Sequence, residues 1–187
     1  ALKRDRESIV LACGPTTAYF GGGVRRTCER LLKKLETDYI DVFQLFWLGR
    51  TSAWTSSTIS ALTSLRESGM VRAIGASMHD RKRAGKLVEN SPLDVLMIRY
   101  NAAHPGAEQD IFPYLAKGRP AIVAYTATRW GALLKRPKGW KGPVMSAGDC
   151  YRFCLSNPHV DLVLTGPKNG QQLKENLQGL RGKGPLS

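Results

Sequence analysis

Short apolar runs alternate with longer amphipathic stretches along almost the whole chain, and this alternation constrains the fold more than any other feature. Short runs rich in Val, Ile, Leu and Phe are typical of buried strands. Most of these runs lack polar alternation, which favours strands covered on both faces of a parallel sheet. The six predicted strands are Ile9 to Cys13, Ile40 to Phe46, Arg72 to Ser77, Val95 to Tyr100, Ala121 to Thr126 and Leu162 to Thr165.

A stretch with helical periodicity follows each apolar run. The six predicted helices are Val24 to Glu36, Thr58 to Ser68, Arg81 to Glu89, Gln109 to Lys117, Ala147 to Leu155 and Gly170 to Leu180. We expect the glycines at 21–23 to loosen the chain before the first helix, Gly69 to end the second, and Asn157 with Pro158 to end the fifth. The sequence therefore predicts an α/β fold, an incomplete or rearranged TIM-barrel-like parallel sheet with about six strand–helix units.

Length and composition favour one soluble domain spanning residues 1–187. No stretch approaches the roughly 18 consecutive apolar residues that cross a bilayer, and the start of the sequence has no apolar signal region. We therefore expect a cytoplasmic protein with no membrane partner. The four cysteines are too scattered for a disulfide framework, which predicts reduced thiols, and the three histidines lie too far from the cysteines to predict a metal site.

The chain is strongly basic, with 28 Lys and Arg residues against 15 Asp and Glu and a net charge of +13. A charge of this size attracts nucleic acid or phosphorylated ligands at long range. The basic residues are spread along the chain, however, and no arginine-rich arm or helix-turn-helix pattern accompanies them. Solvated helix faces account for most of the charge, so a phosphate-bearing small molecule is a better predicted ligand than nucleic acid.

Three segments resemble, in order, successive motifs of the aldo/keto reductase family. They are Asp38-Tyr-Ile-Asp-Val-Phe-Gln-Leu45, Gly69-Met-Val-Arg-Ala-Ile-Gly-Ala-Ser77 and Gly166-Pro-Lys-Asn-Gly-Gln-Gln-Leu-Lys-Glu-Asn-Leu177. The resemblance covers nearly the whole chain but begins late, and it implies a short, divergent member that lacks the family's first two strand–helix units. Aldo/keto reductases are eight-stranded barrels that reduce carbonyls with NADPH, so the resemblance implies an NADPH-dependent carbonyl oxidoreductase.

The resemblance also implies which residues bind the cofactor. Ser77 and Asn101 match positions beside the nicotinamide amide, and Tyr125 matches an aromatic residue that stacks on the nicotinamide ring. Met78 departs from the asparagine that often follows the serine in the family. The last motif matches the part that binds the 2′-phosphate and adenine, at Gly166, Lys168, Gln172, Glu175 and Asn176.

The family's catalytic set is not matched in this sequence. Its aspartate and tyrosine have no counterpart, Gly14 stands at the position of its lysine, and Phe46 at the position of its histidine. Carbonyl reduction needs a proton donor beside the oxygen that becomes negative, and neither Gly14 nor Phe46 supplies one. A displaced group such as Tyr19 or His79 is one alternative, which gives an oxidoreductase with a non-standard site. A non-catalytic nucleotide-binding or regulatory protein is the other.

A hydrolase is a further alternative from a different enzyme class. Ser77 lies in Gly75-Ala-Ser-Met-His79, which superficially resembles the nucleophile turn Gly-x-Ser-x-Gly but lacks the second glycine. Either His79 or His104 would serve as its base, with His104 on the loop that follows the fourth predicted strand.

Six parallel strands cannot close a barrel whose geometry is fitted to eight, so we expect exposed sheet edges at the first and last strands. An unpaired edge favours pairing with another chain. The sequence therefore predicts a homo-oligomer joined through these edges.

Overall fold

A computed structural model describes residues 4–115 and 120–181. Six strands form one parallel sheet in which each strand pairs with the next along the chain. They are β1 (Ala12–Cys13), β2 (Ile40–Leu45), β3 (Val71–Met78), β4 (Val95–Arg99), β5 (Ala121–Tyr125) and β6 (Leu162–Val163). The sheet curls into half a barrel, which confirms the predicted α/β fold with six strand–helix units.

Within residues 4–115 and 120–181, six α-helices connect or follow the strands, and most begin at a polar cap. They are α1 (Gly21–Leu35), α2 (Ser56–Glu67), α3 (Arg81–Glu89), α4 (Ala107–Asp110), α5 (Ala147–Ser156) and α6 (Gly170–Leu180). Thr55 and Ser146 form capping boxes at α2 and α5, and the side chains of Asp80 and Asn169 accept backbone hydrogen bonds at α3 and α6. Among the described residues, no helix is long and apolar enough to pass through a bilayer.

Two sequence expectations about helices were wrong. The glycines at 21–23 do not precede α1 but form its first turn, and Gly21 is buried against α2, where an added Cβ would lie 2.9 Å from the Ser57 hydroxyl. The predicted helix Gln109 to Lys117 is instead the short α4 followed by a 3-10 turn at Phe112–Tyr114. Pro113 explains the break, because proline has no amide hydrogen to continue a helix. The last two residues of that predicted helix lie outside the described residues.

The predicted strand ends were also too long at several places. β2 stops at Leu45, because Trp47 adopts a left-handed backbone conformation with φ of 49° and turns the chain out of the sheet. The two edge strands β1 and β6 keep only two residues each. The predicted ends of α2 and α5 are confirmed, since Gly69 takes a positive φ of 76° just after α2, and Asn157 caps α5.

The two faces of the sheet differ in their burial. Leu96, Ile98 and Ile122 on the outer face are at most 1% exposed. The alternate residues of β4 and β5, such as Met97 and Val123 on the inner face, are only half-buried. The prediction that the strands are covered on both faces is therefore wrong for β4 and β5, because half a barrel has no opposite wall to cover its inner face.

An aspartate at the start of every second strand fastens it to the strand before it. The Leu11, Ile74 and Ile122 amides donate hydrogen bonds to the carboxylates of Asp41, Asp94 and Asp161, at 2.9, 2.8 and 2.7 Å. The amides of Asp94 and Asp161 donate in return to the carbonyls of Ile74 and Ile122. We call this recurring arrangement the aspartate clasp. It fixes the register of neighbouring parallel strands at the amino end of the sheet.

The clasp at Asp41 is the most buried of the three. Asp41 binds Arg6 at 2.8 Å and Arg72 at 3.1 Å, and its side chain is 13% exposed. Both guanidinium groups also stack on the Tyr39 ring, at 3.8 and 3.7 Å from its centre. Burial alone raises the pKa of Asp41, but the Leu11 amide, the Arg6 hydrogen bond and the two arginine charges outweigh burial and hold the pKa below its usual value.

Replacing Asp41 with asparagine is expected to lower the unfolding free energy by about 2 kcal/mol at pH 7. The largely buried guanidinium group of Arg6 then has no carboxylate to pair with. A carboxyl whose folded pKa is depressed stabilises the fold above its unfolded pKa of about 4, and that contribution is lost as pH falls through the folded pKa. Urea unfolding between pH 7 and 2 measures both effects. The exposed Asp38→Asn is the control, and an equal loss in both variants would contradict the assignment.

Both edge strands pair on one side only within the described residues, since β1 bonds to β2 alone and β6 to β5 alone. Self-association of the 187-residue chain through these edges stays a prediction. Size-exclusion chromatography with light scattering tests it, with an assembly larger than the monomer as the expected result. A monodisperse monomer at high protein concentration would count against it.

Candidate functional site

Three predicted site residues lie at the carboxyl ends of three neighbouring strands, which is the end of a parallel barrel that carries ligands. Ser77 lies near the end of β3, Asn101 follows β4, and Tyr125 is the last residue of β5. Because the strands are parallel and paired in order, these residues meet at one edge of the sheet. We call this edge the carboxyl rim.

Ser77 holds the chain that leaves β2. It is 2% exposed, and its hydroxyl accepts a hydrogen bond from the Trp47 amide at 2.9 Å. Its carbonyl accepts another from the Leu48 amide at 2.9 Å. These contacts fix the left-handed turn at Trp47, so the shape of the rim depends on Ser77.

Asn101 joins the ends of β4 and β5. Its side chain is fully buried, its amide group donates to the Thr126 carbonyl at 2.9 Å, and its oxygen accepts from the Ala103 amide at 3.1 Å. The same oxygen lies 3.1 Å from Nδ1 of His104, which is thereby held against the rim. Most of the hydrogen-bonding capacity of Asn101 is therefore used within the protein.

Tyr125 and His79 are in direct contact across the rim. The Tyr125 hydroxyl lies 3.1 Å from Nδ1 of His79, and the Trp47 ring lies 6.2 Å from the imidazole, measured between ring centres. Burial raises the pKa of Tyr125, against the lowering charge of Arg99. Burial and the charges of Arg99 and Arg50 lower the pKa of His79, so its imidazole is neutral at neutral pH.

Tyr19 is the other residue predicted to replace the family's proton donor, and it lies apart from the contact between Tyr125 and His79. It is 48% exposed, and its hydroxyl donates to the Arg50 carbonyl at 2.6 Å. The serine–histidine pairing of a hydrolase is also not assembled. Ser77 is buried with its hydroxyl on the Trp47 amide, while His79 contacts Tyr125 and His104 contacts Asn101.

Gly14 and Phe46 are both fixed by packing. A Cβ at Gly14 would collide with the backbone carbonyl of Gln44 in β2 and would lie 2.9 Å from its nitrogen. The Phe46 carbonyl accepts hydrogen bonds from the hydroxyls of Thr51 and Ser52, at 3.1 and 2.8 Å. The backbone at Gly14 therefore has no room for a lysine, and Phe46 anchors the loop beyond β2.

A cleft of about 990 Å³ lies between the loop after β5 and the start of α6. All five residues predicted to bind the adenosine end of the cofactor line it, namely Gly166, Lys168, Gln172, Glu175 and Asn176. The opposite wall comes from the long loop after β5, with Trp130, Leu134 and Lys135 among its residues. Ser77, Asn101 and Tyr125 are outside the lining, but Thr126 lines the cleft directly beside Tyr125.

The five predicted residues of the cleft differ in how freely they can meet a ligand. Asn176 is 7% exposed and donates to the Thr165 hydroxyl, which itself donates to the Tyr151 hydroxyl at 2.8 Å. The Gln172 side chain accepts from the Lys168 amide at 2.8 Å and so shapes the turn before α6. The Lys168 side chain is exposed at the amino end of that helix, where a negative group is stabilised.

Sequence reasoning missed Arg99, which ends β4 on the same face as Tyr125. The available signal was a charged residue at the end of an otherwise apolar run, Val95 to Ile98. It also missed Thr165 and Tyr151, whose hydroxyls support Asn176, because residues on different elements meet only in the folded chain.

Comparison with known proteins agrees with the fold. The sequence pattern of the "Aldo/keto reductase family" matches residues 17–149. The solved structure of aldo-keto reductase AKR11C1 from Bacillus halodurans (holo form) superposes with a TM-score of 0.80 at 21% identity, over 100% of this chain and 72% of that one. These similarities define a half-barrel of the aldo/keto reductase type.

Two curated relatives from Escherichia coli (strain K12) are similar over part of their length. "NADH-specific methylglyoxal reductase" is 24% identical over 112 residues, which is 59% of this chain and 34% of that protein. "Methylglyoxal reductase YeaE" is 28% identical over 131 residues, or 67% of this chain and 45% of that protein. The chain thus spans between a third and a half of these relatives. Because the family pattern covers most of its residues, the chain belongs to the aldo/keto reductase family.

Substituting Gly14 with alanine is expected to lower the unfolding free energy by about 1–3 kcal/mol, because the Gln44 peptide must shift to admit the added carbon. Gly14→Lys is expected to be at least as destabilising. Urea denaturation measures both. Gly22→Ala is the matched control, since an added Cβ there meets nothing within 4 Å, and its stability should be unchanged or slightly raised. Wild-type stability in Gly14→Lys would show that the backbone at this position adapts freely.

Proposed function

We propose that the protein binds a nicotinamide dinucleotide, preferentially NADPH, and acts as a carbonyl oxidoreductase with a non-standard set of acid–base groups. The observation that carries this proposal is the cleft beside α6. Its volume is typical of pockets that hold a ligand of this size, and the residues around it mix apolar walls with a few polar groups. Membership of the aldo/keto reductase family supports the same reaction class.

The adenosine end of the cofactor fits the cleft at the start of α6. Lys168 is exposed there, and none of the described carboxylates lies within ion-pair distance of it. It would contact the 2′-phosphate, while Gln172 and Glu175 would face the adenine and its sugar. Asn176 would not contact the cofactor itself but would stabilise the wall of the cleft through its hydrogen bond to Thr165. Gly166 leaves the entrance to the cleft without a side chain.

The nicotinamide end would extend from the cleft to the carboxyl rim. Thr126 and Ala127 line the cleft, and the next residue back along the chain is Tyr125, whose ring is the predicted stacking partner. Ser77 and Asn101 would form the floor, where their hydrogen bonds fix the turns on which the nicotinamide amide rests. When bound, the cofactor supplies a hydride, and these residues orient it.

Proton transfer is the step in which this chain departs from its family. Gly14 and Phe46 offer no ionisable group, whereas Tyr125 and His79 bring a hydroxyl and an imidazole together at the rim. Two relatives are named methylglyoxal reductases, so a small aldehyde or ketone is the proposed substrate class. Absence of turnover together with retained cofactor binding would instead favour a non-catalytic nucleotide-binding homologue.

Lys168→Ala is expected to weaken NADPH binding about tenfold, because it removes a charged contact to the 2′-phosphate worth about 1.5 kcal/mol. NADH binding should change little, since NADH lacks that phosphate. Nicotinamide fluorescence titration measures both affinities. Lys174→Ala is the matched control, because Lys174 lies nearby on α6 but beside a separate groove with Leu173 and Leu177.

Two outcomes contradict the proposal. No binding at millimolar NADPH would rule out NADPH as the cofactor and with it the oxidoreductase reaction. An equal loss of NADPH affinity in Lys168→Ala and Lys174→Ala would show that only the general positive charge matters.

The proposed setting is the cytoplasm, where NADPH is available. A steep salt dependence of DNA or RNA retention would favour a nucleic-acid partner instead.

A further inference from the structure

Arg99 occupies an unusual position on the inner face of the half-barrel. It is the last residue of β4 and pairs in register with Tyr125 of β5, so both side chains leave the sheet on the same face. Arg99 is half-buried. Across residues 4–115 and 120–181, no carboxylate lies within ion-pair distance of its guanidinium group, and no protein acceptor receives a hydrogen bond from it.

Three neutral groups lie within reach of the electric field of this cation. Its charge acts on His79, His104 and Tyr125. Burial and the arginine charges lower the pKa of both histidines, so neither is protonated at neutral pH. The other charges that reach the histidines are also arginines, with Arg50 acting on His79 and with Arg81 and Arg129 acting on His104. Asp110 pairs with Arg81 at 2.9 Å. Within the described residues no carboxylate pairs with Arg50, Arg99 or Arg129, so this part of the rim is positive.

A partly buried cation without a counter-ion is costly, and an anionic ligand removes that cost. The guanidinium group offers a planar fork of donors, which matches the two oxygens of a carboxylate. The Tyr125 hydroxyl and the His79 imidazole, 3.1 Å apart, add one polar group each at the same rim. The Trp47 ring, tilted against His79, adds an apolar wall. Together these groups suit a small planar acid with a short carbon skeleton.

We propose that Arg99, with the Tyr125 hydroxyl and the His79 imidazole, forms a recognition site for the carboxylate of an oxo-acid substrate. The proposal rests on the carbonyl oxidoreductase function and names its substrate class. Binding of the acid group is measurable without turnover and without cofactor, so the two proposals fail separately. The site also differs from the cleft at Lys168, which Arg99 does not line.

Pyruvate is a suitable probe, and methylglyoxal is its neutral counterpart with an aldehyde in place of the carboxylate. Both are titrated into the full chain without cofactor, by calorimetry and by tryptophan fluorescence. Arg99→Gln is expected to weaken pyruvate binding about tenfold or more, because it removes a charged hydrogen-bond pair. The affinity for methylglyoxal is expected to stay the same. Arg30→Gln is the matched control, because it removes the same charge from an exposed site on α1.

Tyr125→Phe provides a second variant that keeps the ring and removes only the hydroxyl. It is expected to weaken pyruvate binding about threefold to tenfold, and it decides the question if Arg99→Gln does not fold. Equal losses in Arg99→Gln and Arg30→Gln would overturn the proposal, since they would indicate general charge attraction. Unchanged pyruvate affinity in Tyr125→Phe would also overturn it.

The cofactor offers a second source of negative charge, and competition separates it from the substrate. Pyruvate and NADPH are expected to bind together, with Arg99→Gln affecting only pyruvate. Mutual exclusion with an equal loss of NADPH affinity would assign Arg99 to a cofactor phosphate and overturn the proposal. If NADPH fails to bind while the Arg99 effect on pyruvate persists, the oxidoreductase function fails and the acid-binding site stands.

Discussion

The aspartate clasp is the constraint on which the rest of the structure depends. A parallel sheet has no hairpins to set its register, so each strand must be aligned by contacts made after a long crossover. Asp41, Asp94 and Asp161 perform this alignment at alternate strands by accepting a backbone amide from the strand before. Because the strands are aligned at their amino ends, their carboxyl ends meet in order. The clasp at Asp94 thus aligns Ser77 with Asn101, and the pairing of β4 with β5 brings Tyr125 to the same rim.

Much of this fold could be predicted because its signals are local. Apolar runs and helical periodicity reveal six strand–helix units, and Gly69 and Asn157 mark helix ends through backbone chemistry that acts over a few residues. The misjudged elements depend on distant partners. Gly21 begins a helix because α2 leaves no space for a side chain, and only the folded chain brings Ser57 against it. The half-covered inner face likewise follows from the open half-barrel, a property of all six strands together that no short stretch of sequence reveals.

The candidate site shows the same division. The resemblance of the last motif groups five residues, and the structure brings them to one cleft. What residue identity could not reveal is which side chains remain available to a ligand. Asn101 and Asn176 are occupied by protein partners, whereas Lys168 and Arg99 are not paired with any described carboxylate. Whether a side chain is available to a ligand depends on neighbours that are far apart in the chain. The acid–base properties of the rim can therefore be judged only from the folded structure.

Close packing at Gly14 has a consequence for the reactivity of this chain. With the Gln44 peptide pressed against it, the position admits no side chain until that peptide moves. A change to lysine is therefore expected to lower the stability of the protein, whatever it adds to reactivity. Packing against β2 therefore opposes any side chain at this position. Any gain in reactivity must recruit groups that already stand at the rim.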